Sequence, residues 1–217
     1  MMQQFKPQTA PKARAHLILA HGAGAGLESE FMQEMGAAIA AHDIAVWLFN
    51  FPYMEKAKLL GKKRPPDRAP VLLDAWQSAI EAVTSHSDYK DGERLYIGGK
   101  SMGGRMATVL ATDPNYSAVN NLISGVVALG YPFHPPGKPD KLRIEHLHDT
   151  AVPMLIVQGE RDTFGNVSRV NELSLSPSIT VEWLTDGDHS FKPRKASGID
   201  QHHNIQKAAK EVAKWIA

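Results

Sequence analysis

The residues best suited to do chemistry lie in the run Gly99-Lys100-Ser101-Met102-Gly103. This run places a serine between two glycines, after the short apolar segment 94–97 and before a helical pattern over Met102–Thr112. Small residues two positions before and after a serine let a strand and a helix approach closely, and the sharp turn between them exposes the hydroxyl. The run therefore predicts a nucleophilic serine and acyl-transfer chemistry.

Two later residues could activate this serine. A serine hydroxyl needs a general base, and an imidazole that acts as the base needs a carboxylate to orient it. After a turn of this type the acid comes first and the histidine second, each on a loop beyond a strand end. Asp162 follows a predicted strand over 154–157, and His189 follows one over 180–183. We therefore expect Asp162 as the acid and His189 as the base.

Other acids near these positions remain alternatives. Glu160 lies two residues before Asp162 and could be the acid instead. Asp186 and Asp188 flank His189, and we expect them to shape its turn rather than orient its ring. Of the ten histidines, His189 alone combines the expected order with a loop after the last predicted strand.

The oxyanion that forms on attack needs two backbone N–H donors. The N–H of Met102, directly after the serine, is the first candidate. The second should come from the glycine-rich run 21–26 after the first buried strand, with Ala23 or Gly24 as the donor. The glycines of this run let its backbone approach a substrate carbonyl, so Gly22 and Gly24 are expected substrate contacts.

Three rival motifs fail on spacing. A dinucleotide fingerprint beginning at Gly22 requires a glycine where Leu27 stands. A phosphate-binding loop ending at Lys100-Ser101 requires a glycine where Arg94 stands. The histidines and carboxylates show no metal-binding spacing. We expect neither a metal nor a cofactor.

The composition is that of an ordinary globular chain. Its 217 residues suit one domain over 1–217, with 43% apolar and 22% charged residues. A formal net charge of +1 gives no reason to expect a nucleic-acid or membrane partner. The chain has no cysteine, no apolar run long enough for a membrane span, and no apolar signal core in residues 1–15. These features predict a cytoplasmic protein.

Strand and helix patterns alternate along the chain. Apolar strands are predicted over 16–20, 45–49, 94–97, Gly125–Leu129, 154–157 and 180–183. Helices are predicted over 30–41, 70–86, Met102–Thr112 and 199–216, with 56–70 as a loop. Continuous apolar strands between helices predict an α/β fold, with a mostly parallel sheet covered by helices on both faces.

These residues resemble the α/β-hydrolase superfamily over nearly the whole chain. The run 99–105 is similar to small, lidless bacterial hydrolases of the testis-expressed 30 and dienelactone-hydrolase-like groups, and the run 64–68 is similar to the former group. The resemblance implies the α/β-hydrolase fold without a large lid. It also implies Ser101 as nucleophile, Asp162 as acid and His189 as base.

The sequence leaves little room for a lid over the substrate site. Between the serine and the acid, only 131–153 forms an irregular insertion, which is too short for a large lid and favours a small soluble acyl substrate. Phe133, Phe164 and Met102 lie near strand ends and are expected to wall the pocket. The basic run 62–64, with Arg68, is either a contact for a substrate carboxylate or phosphate or a solvated loop.

The sequence thus predicts a serine hydrolase that cleaves an ester, thioester or similar acyl bond through an acyl-enzyme. Two alternatives remain open. One is a non-catalytic module that keeps the fold and binds a partner. The other is an acyltransferase that uses the same three side chains with a different acceptor.

Overall fold

A computed structural model of the chain describes residues 2–8 and 12–217. Met1 and residues 9–11, part of the polar N-terminal stretch, lie outside the described residues. Within the described chain, seven strands form one sheet in the order β1-β3-β2-β4-β5-β6-β7, with β1 antiparallel to β3 and all other pairs parallel. The strands are β1 (Met2–Phe5), β2 (Ala15–Ala20), β3 (Ile44–Phe49), β4 (Leu95–Lys100), β5 (Gly125–Leu129), β6 (Met154–Gly159) and β7 (Ile179–Leu184).

Helices cover both faces of the sheet. They are α1 (Glu30–Ala40), α2 (Pro52–Leu60), α3 (Ala69–Thr84), α4 (Met102–Thr112), α5 (Ser117–Asn120), α6 (Val167–Asn171) and α7 (Gln201–Ile216). One apolar core joins α3 and α4 to one face, and a second core joins α1 and α7 to the other. Because both faces are covered, every residue of β2, β3, β4, β5 and β6 is buried. The predicted fold class is confirmed.

The carboxyl edge of the parallel strands gathers the residues that the sequence singles out. The glycine-rich run follows β2, Ser101 follows β4, Asp162 follows β6 and His189 lies beyond β7. Ligand sites of open parallel sheets form at this edge, where neighbouring strands lead to opposite faces. The topology alone therefore brings four distant segments of the chain together.

Most predicted elements agree with the structure to within two residues. The prediction for Gly125–Leu129 and for Met102–Thr112 matches at both ends. The strand predicted over 154–157 continues to Gly159, which brings Gln158 into the buried part of the sheet. The segment 131–153 is irregular as expected, with one short turn of 3-10 helix at Glu145–Leu147, and no large lid covers the described site.

The prediction of a loop over 56–70 is wrong at its beginning. α2 spans Pro52–Leu60, with proline in its first turn and Gly61 in the left-handed conformation at its end. Both residues are helix-boundary signals. Only Tyr53 of this helix is buried, so no apolar periodicity marks it in the sequence.

The edge strand β1 was not predicted. Its four residues are all half-buried, and it pairs with β3 in antiparallel register. No helix in the described part of the chain is long and apolar enough to cross a membrane.

The turn between β4 and α4 is held against β2 by two glycines. A Cβ atom on Gly99 would lie 2.2 Å from the carbonyl oxygen of Ala20. A Cβ atom on Gly103 would lie 2.5 Å from the same oxygen and 2.7 Å from that of His21. Since these obstacles are backbone atoms, no side chain can move aside to make room.

We expect Gly103→Ala to lower the free energy of unfolding by at least about 2 kcal/mol, because overpacking against rigid backbone forces the helix away from β2. Urea denaturation of the purified proteins measures this. Gly24→Ala is the matched control, because a Cβ atom there meets nothing within 4 Å. Equal stability of the two variants would contradict the proposed close approach.

Candidate functional site

Ser101 lies on a strained backbone turn. Its φ of 52° and ψ of −113° fall outside the regions that non-glycine residues favour. Its N–H donates to the carbonyl of Leu129 at 3.0 Å, and its own carbonyl accepts from the N–H of Arg105 at 2.9 Å. Backbone strain of this size persists only where the surrounding structure imposes it, and it is concentrated at functional sites.

A continuous chain of hydrogen bonds joins three of the predicted side chains. Nε2 of His189 lies 2.9 Å from Oγ of Ser101, and Nδ1 of His189 lies 2.8 Å from Oδ2 of Asp162. Asp162 is fully buried, whereas the His189 side chain is 24% exposed. With Nδ1 donating to the carboxylate, Nε2 is free to accept the serine proton. The arrangement can therefore turn the hydroxyl into a nucleophile.

The buried carboxylate of Asp162 is fully hydrogen-bonded. Oδ1 accepts from the N–H of Phe164 at 2.8 Å, and Oδ2 also accepts from Nε2 of Gln158 at 2.9 Å. Gln158 is itself fully buried, and its Oε1 accepts from the N–H of Tyr131 at 2.7 Å. Because burying a charge without partners is costly, these donors stabilise the ionised carboxylate that faces His189.

The alternative acids have other partners. Oε2 of Glu160 accepts from the N–H of Asp186 at 2.7 Å. Asp186 is bonded by Arg194, whose Nη2 lies 2.6 Å from Oδ1, and this hydrogen bonding lowers the pKa of Asp186. Asp188 accepts from backbone N–H groups two and four residues later. Both aspartates thus shape the turn that carries His189.

The glycine-rich run lies directly beside Ser101. A Cβ atom on Gly22 would approach Cβ of Ser101 to 3.7 Å. Ala23 lines both cavities around Ser101, and Gly22 and Gly24, the expected substrate contacts, line one of them together with His189. Met102 is the first residue of α4, where N–H groups have no intrahelical acceptor.

Two buried side chains that were not predicted hold this run. Nε2 of His21 accepts from the N–H of Phe51 at 3.1 Å, so Nδ1 carries the proton and donates to the carbonyl of Gly22 at 2.7 Å. Burial lowers the pKa of His21, which keeps the ring neutral. The hydroxyl of Tyr53 donates to the carbonyl of Ala23 at 3.0 Å, and burial raises the pKa of Tyr53. The Gly22 carbonyl shares its peptide with the Ala23 N–H, so His21 fixes the direction of that N–H, and the Tyr53 contact fixes the next peptide, which carries the Gly24 N–H.

Two cavities meet at Ser101. The first, about 390 Å³, is lined by Met102, Arg105, Arg143 and Phe164, and we call it the arginine cavity. The second, about 320 Å³, is lined by Phe31, Lys100, His189 and Phe164, and we call it the histidine cavity. Phe164 lines both cavities, and its ring centroid lies 4.5 Å from that of His189.

The structure places Phe133 elsewhere than expected. It is fully buried, its ring packs 4.9 Å from that of Tyr131, and it fills the space beside Gly165. Phe133 therefore supports the Phe164 loop from behind and lines neither cavity. Phe164 and Met102 do line the arginine cavity.

The basic run lies at a separate depression. Lys62, Lys63 and Arg64 are exposed and line a cavity of about 360 Å³ with Ala23. Arg68 is exposed at the N-terminus of α3 and lines none of the cavities around Ser101. No cluster of three or more His, Cys, Asp or Glu side chains that could hold a metal occurs in residues 2–8 and 12–217.

Lys100 is a further unpredicted neighbour of the site. Its ammonium donates to the backbone carbonyl of His189 and lies 5.4 Å and 5.7 Å from the ring centroids of Phe31 and Phe191. Burial lowers the pKa of Lys100 to about 8, against the opposing effect of Asp162. Lys100 thus holds the His189 segment in place through this backbone contact, at the cost of desolvating its own ammonium group.

The signals for these additional residues were weak. Gln158 is a polar residue at the end of an apolar run, which hinted at a buried hydrogen-bonding role. Tyr53 and Arg143 lie far from Ser101 in sequence, and nothing in their local pattern distinguishes them from surface residues. Arg105 follows Ser101 by one helical turn, but its position in the sequence does not show that it lines a cavity.

The burial of Lys100 predicts how stability depends on pH. Its pKa is lowered from 10.5 to about 8, so between these values the unfolded chain binds a proton that the native protein has released. The free energy of unfolding should therefore rise with pH across this window, by roughly 2 to 3 kcal/mol relative to Lys100→Met.

Urea denaturation at pH 7.5 and pH 10 measures that difference. Because all other groups titrate in both proteins, subtracting the two curves isolates Lys100. Lys138→Met, which removes an exposed lysine, is the control and should show the same pH dependence as the wild type. A wild-type curve parallel to that of Lys100→Met would refute the desolvated state of this lysine.

Solved structures of similar fold cover almost the whole chain. An α/β serine hydrolase homologue from Coxiella burnetii superposes with a TM-score of 0.71 at 15% identity, covering 100% of this chain and 91% of that one. Dienelactone hydrolase from Anabaena variabilis superposes with a TM-score of 0.71 at 18% identity, covering 99% of this chain and 89% of that one. A lidless α/β serine hydrolase from Xanthomonas campestris superposes with a TM-score of 0.68 at 16% identity, covering 97% of this chain and 88% of that one.

At these sequence identities, structural similarity shows the fold and nothing finer. The family assignment comes from the sequence, because the family model described as an α/β hydrolase domain matches residues 13–217. The chain therefore belongs to the α/β-hydrolase family.

Proposed function

We propose that the protein is a serine hydrolase that cleaves an ester, thioester or similar acyl bond of a small substrate. The observation that carries this proposal is the unbroken hydrogen-bonded chain from Ser101 through His189 to the buried Asp162, at the junction of two cavities. Membership in the α/β-hydrolase family supports the same reaction class.

The reaction begins with a proton transfer. Nε2 of His189 takes the proton of the Ser101 hydroxyl as the oxygen attacks the substrate carbonyl, and Asp162 stabilises the imidazolium that results. The negative charge moves to the carbonyl oxygen, where the N–H groups of Met102 and Ala23 would donate to it. The imidazolium then protonates the leaving alcohol or thiol, and an acyl-enzyme remains on Ser101.

Water completes the cycle. His189 removes a proton from a water molecule, which attacks the acyl-enzyme and passes through a second oxyanion in the same position. Collapse of this intermediate releases the acid and returns the proton to Ser101. His189 lines the histidine cavity, so water and the leaving group share that side of the site.

The first test is covalent labelling. We expect a fluorophosphonate probe to label the wild-type protein, and Ser101→Ala and His189→Ala to lose both labelling and turnover of short-chain esters. In hydrolases with these three groups such losses are about 10³- to 10⁶-fold in kcat.

Ser174→Ala, which removes an exposed hydroxyl that lines neither cavity and leaves the charge unchanged, is the matched control and should still be labelled. Labelling and turnover that persist in Ser101→Ala would refute the assignment of the nucleophile. A folded wild-type protein that neither takes the label nor cleaves any ester would instead point to a module that binds a partner.

A second test addresses the oxyanion position. Tyr53→Phe removes the hydroxyl that donates to the carbonyls of Gly22 and Ala23, so the two peptides that carry the N–H groups of Ala23 and Gly24 are held less firmly beside the oxyanion. Because that contact is needed most in the transition state, we expect kcat to fall about tenfold while KM changes less.

Steady-state kinetics with one short-chain ester measures this split. Tyr89→Phe is the matched control, because its hydroxyl also donates to a backbone carbonyl, that of Glu93, but at the opposite edge of the sheet. A loss confined to KM, or an equal loss in both variants, would contradict the role of the Tyr53 hydroxyl.

A further inference from the structure

Two arginines face the nucleophile across the arginine cavity. Arg105 lies one helical turn after Ser101 on α4, and Arg143 comes from the irregular segment 131–153 on the other side. Both side chains are half-buried. The remaining walls near Ser101 are largely apolar and include Met102 and Phe164.

Neither guanidinium has an anionic partner in the described chain. No hydrogen bond or ion pair of residues 2–8 and 12–217 involves either side chain, and the buried Nε of Arg105 has no acceptor. Arg161 and Arg194, by contrast, both pair with Asp186. A half-buried guanidinium offers five donors in a planar fork that matches a carboxylate.

Their charges act on each other and on a neighbour. Burial and the charge of Arg105 together lower the pKa of Arg143. Burial and Arg105 also lower the pKa of His146 to about 4, so this ring stays neutral behind the cavity. Asp67 lines the same cavity but forms no ion pair with either arginine, and its Oδ2 is buried without a donor. Two cations thus face one carboxylate, which leaves a net positive cavity.

The position of His189 decides which part of a substrate meets this charge. His189 must protonate the leaving group, and it lines the histidine cavity and not the arginine cavity. The leaving alcohol or thiol therefore occupies the histidine cavity. The acyl chain extends the other way, between Met102 and Phe164 toward the arginines.

We propose that the acyl part of the substrate ends in a carboxylate, which Arg105 and Arg143 bind. The substrate class is then a monoester or monothioester of a short dicarboxylic acid, with apolar methylene groups between the two carbonyl carbons. Hydrolysis adds water across the acyl bond and releases the dicarboxylate and the alcohol or thiol. This inference rests on the proposed function.

The test compares matched pairs of esters with one leaving group. The mono-4-nitrophenyl esters of glutaric and adipic acid are compared with 4-nitrophenyl pentanoate and hexanoate, after spontaneous hydrolysis has been subtracted. We expect the wild type to prefer the anionic esters in kcat/KM. Arg143→Met should lower the ratio of anionic to neutral kcat/KM by about tenfold to a hundredfold, the range expected for losing a charge-assisted pair.

Two further variants make the result interpretable. Lys141→Met removes an exposed positive charge from the same segment without lining the cavity, and it should keep the wild-type ratio. Arg105→Met should lower the ratio as Arg143→Met does. A ratio that is unchanged in both arginine variants, with turnover still dependent on Ser101, would overturn the inference and leave the proposed function standing.

A binding measurement separates the two proposals when no ester is cleaved. Adipate is titrated into Ser101→Ala by calorimetry, with and without Arg143→Met. Binding that the second substitution abolishes supports the carboxylate site even if the hydrolase proposal fails. Absence of adipate binding to Ser101→Ala overturns the site.

Discussion

The close contact between the β4–α4 turn and β2 is the constraint on which the rest of the site depends. Gly99 and Gly103 touch the backbone of β2 with no room for a Cβ atom, and Ser101 between them takes a backbone conformation that costs about 1 to 3 kcal/mol. The buried, hydrogen-bonded strands on either side offset that cost. The same contact brings Gly22 against the Ser101 side chain, so the proposed nucleophile and the proposed oxyanion donors are positioned together.

The second constraint is that the buried carboxylate of Asp162 needs hydrogen-bond donors in place of water. Asp162 is fully buried, and burying a carboxylate is costly unless donors reach its oxygens. Gln158 and the N–H of Phe164 supply them, and both come from the same strand end and loop as Asp162. His189 then completes the set at 2.8 Å. The carboxylate is thus held by β6 and its loop, independently of the loop that carries the histidine.

The fold could be predicted from the sequence, and Ser101, Asp162 and His189 could be singled out, because the patterns that mark strands, helices and the serine turn are short and local. Apolar strands and helix boundaries are readable over a few residues, as at Gly125–Leu129, and Ser101 lies in a motif of fixed spacing. The residues that support the site could not be predicted, because their roles arise only from tertiary neighbours. Tyr53 sits on a helix with no apolar stripe, and Arg143 sits in an irregular segment. Phe133 and Phe164 look alike in sequence, yet only Phe164 reaches the cavity.

Three cationic side chains near Ser101 are withdrawn from water without a carboxylate partner in the described chain, so their burial does not stabilise the fold. Lys100, Arg105 and Arg143 are all partly or fully withdrawn from water, and none of them has a carboxylate within ion-pair distance among the residues described. Burying such groups opposes folding unless a partner offsets the desolvation. Lys100 recovers part of this cost through the His189 carbonyl, but the arginines have no such acceptor. Since an anionic acyl chain would supply one, substrate binding would remove an electrostatic cost that the free protein bears, and binding energy would then favour carboxylate-bearing substrates over neutral ones of the same length.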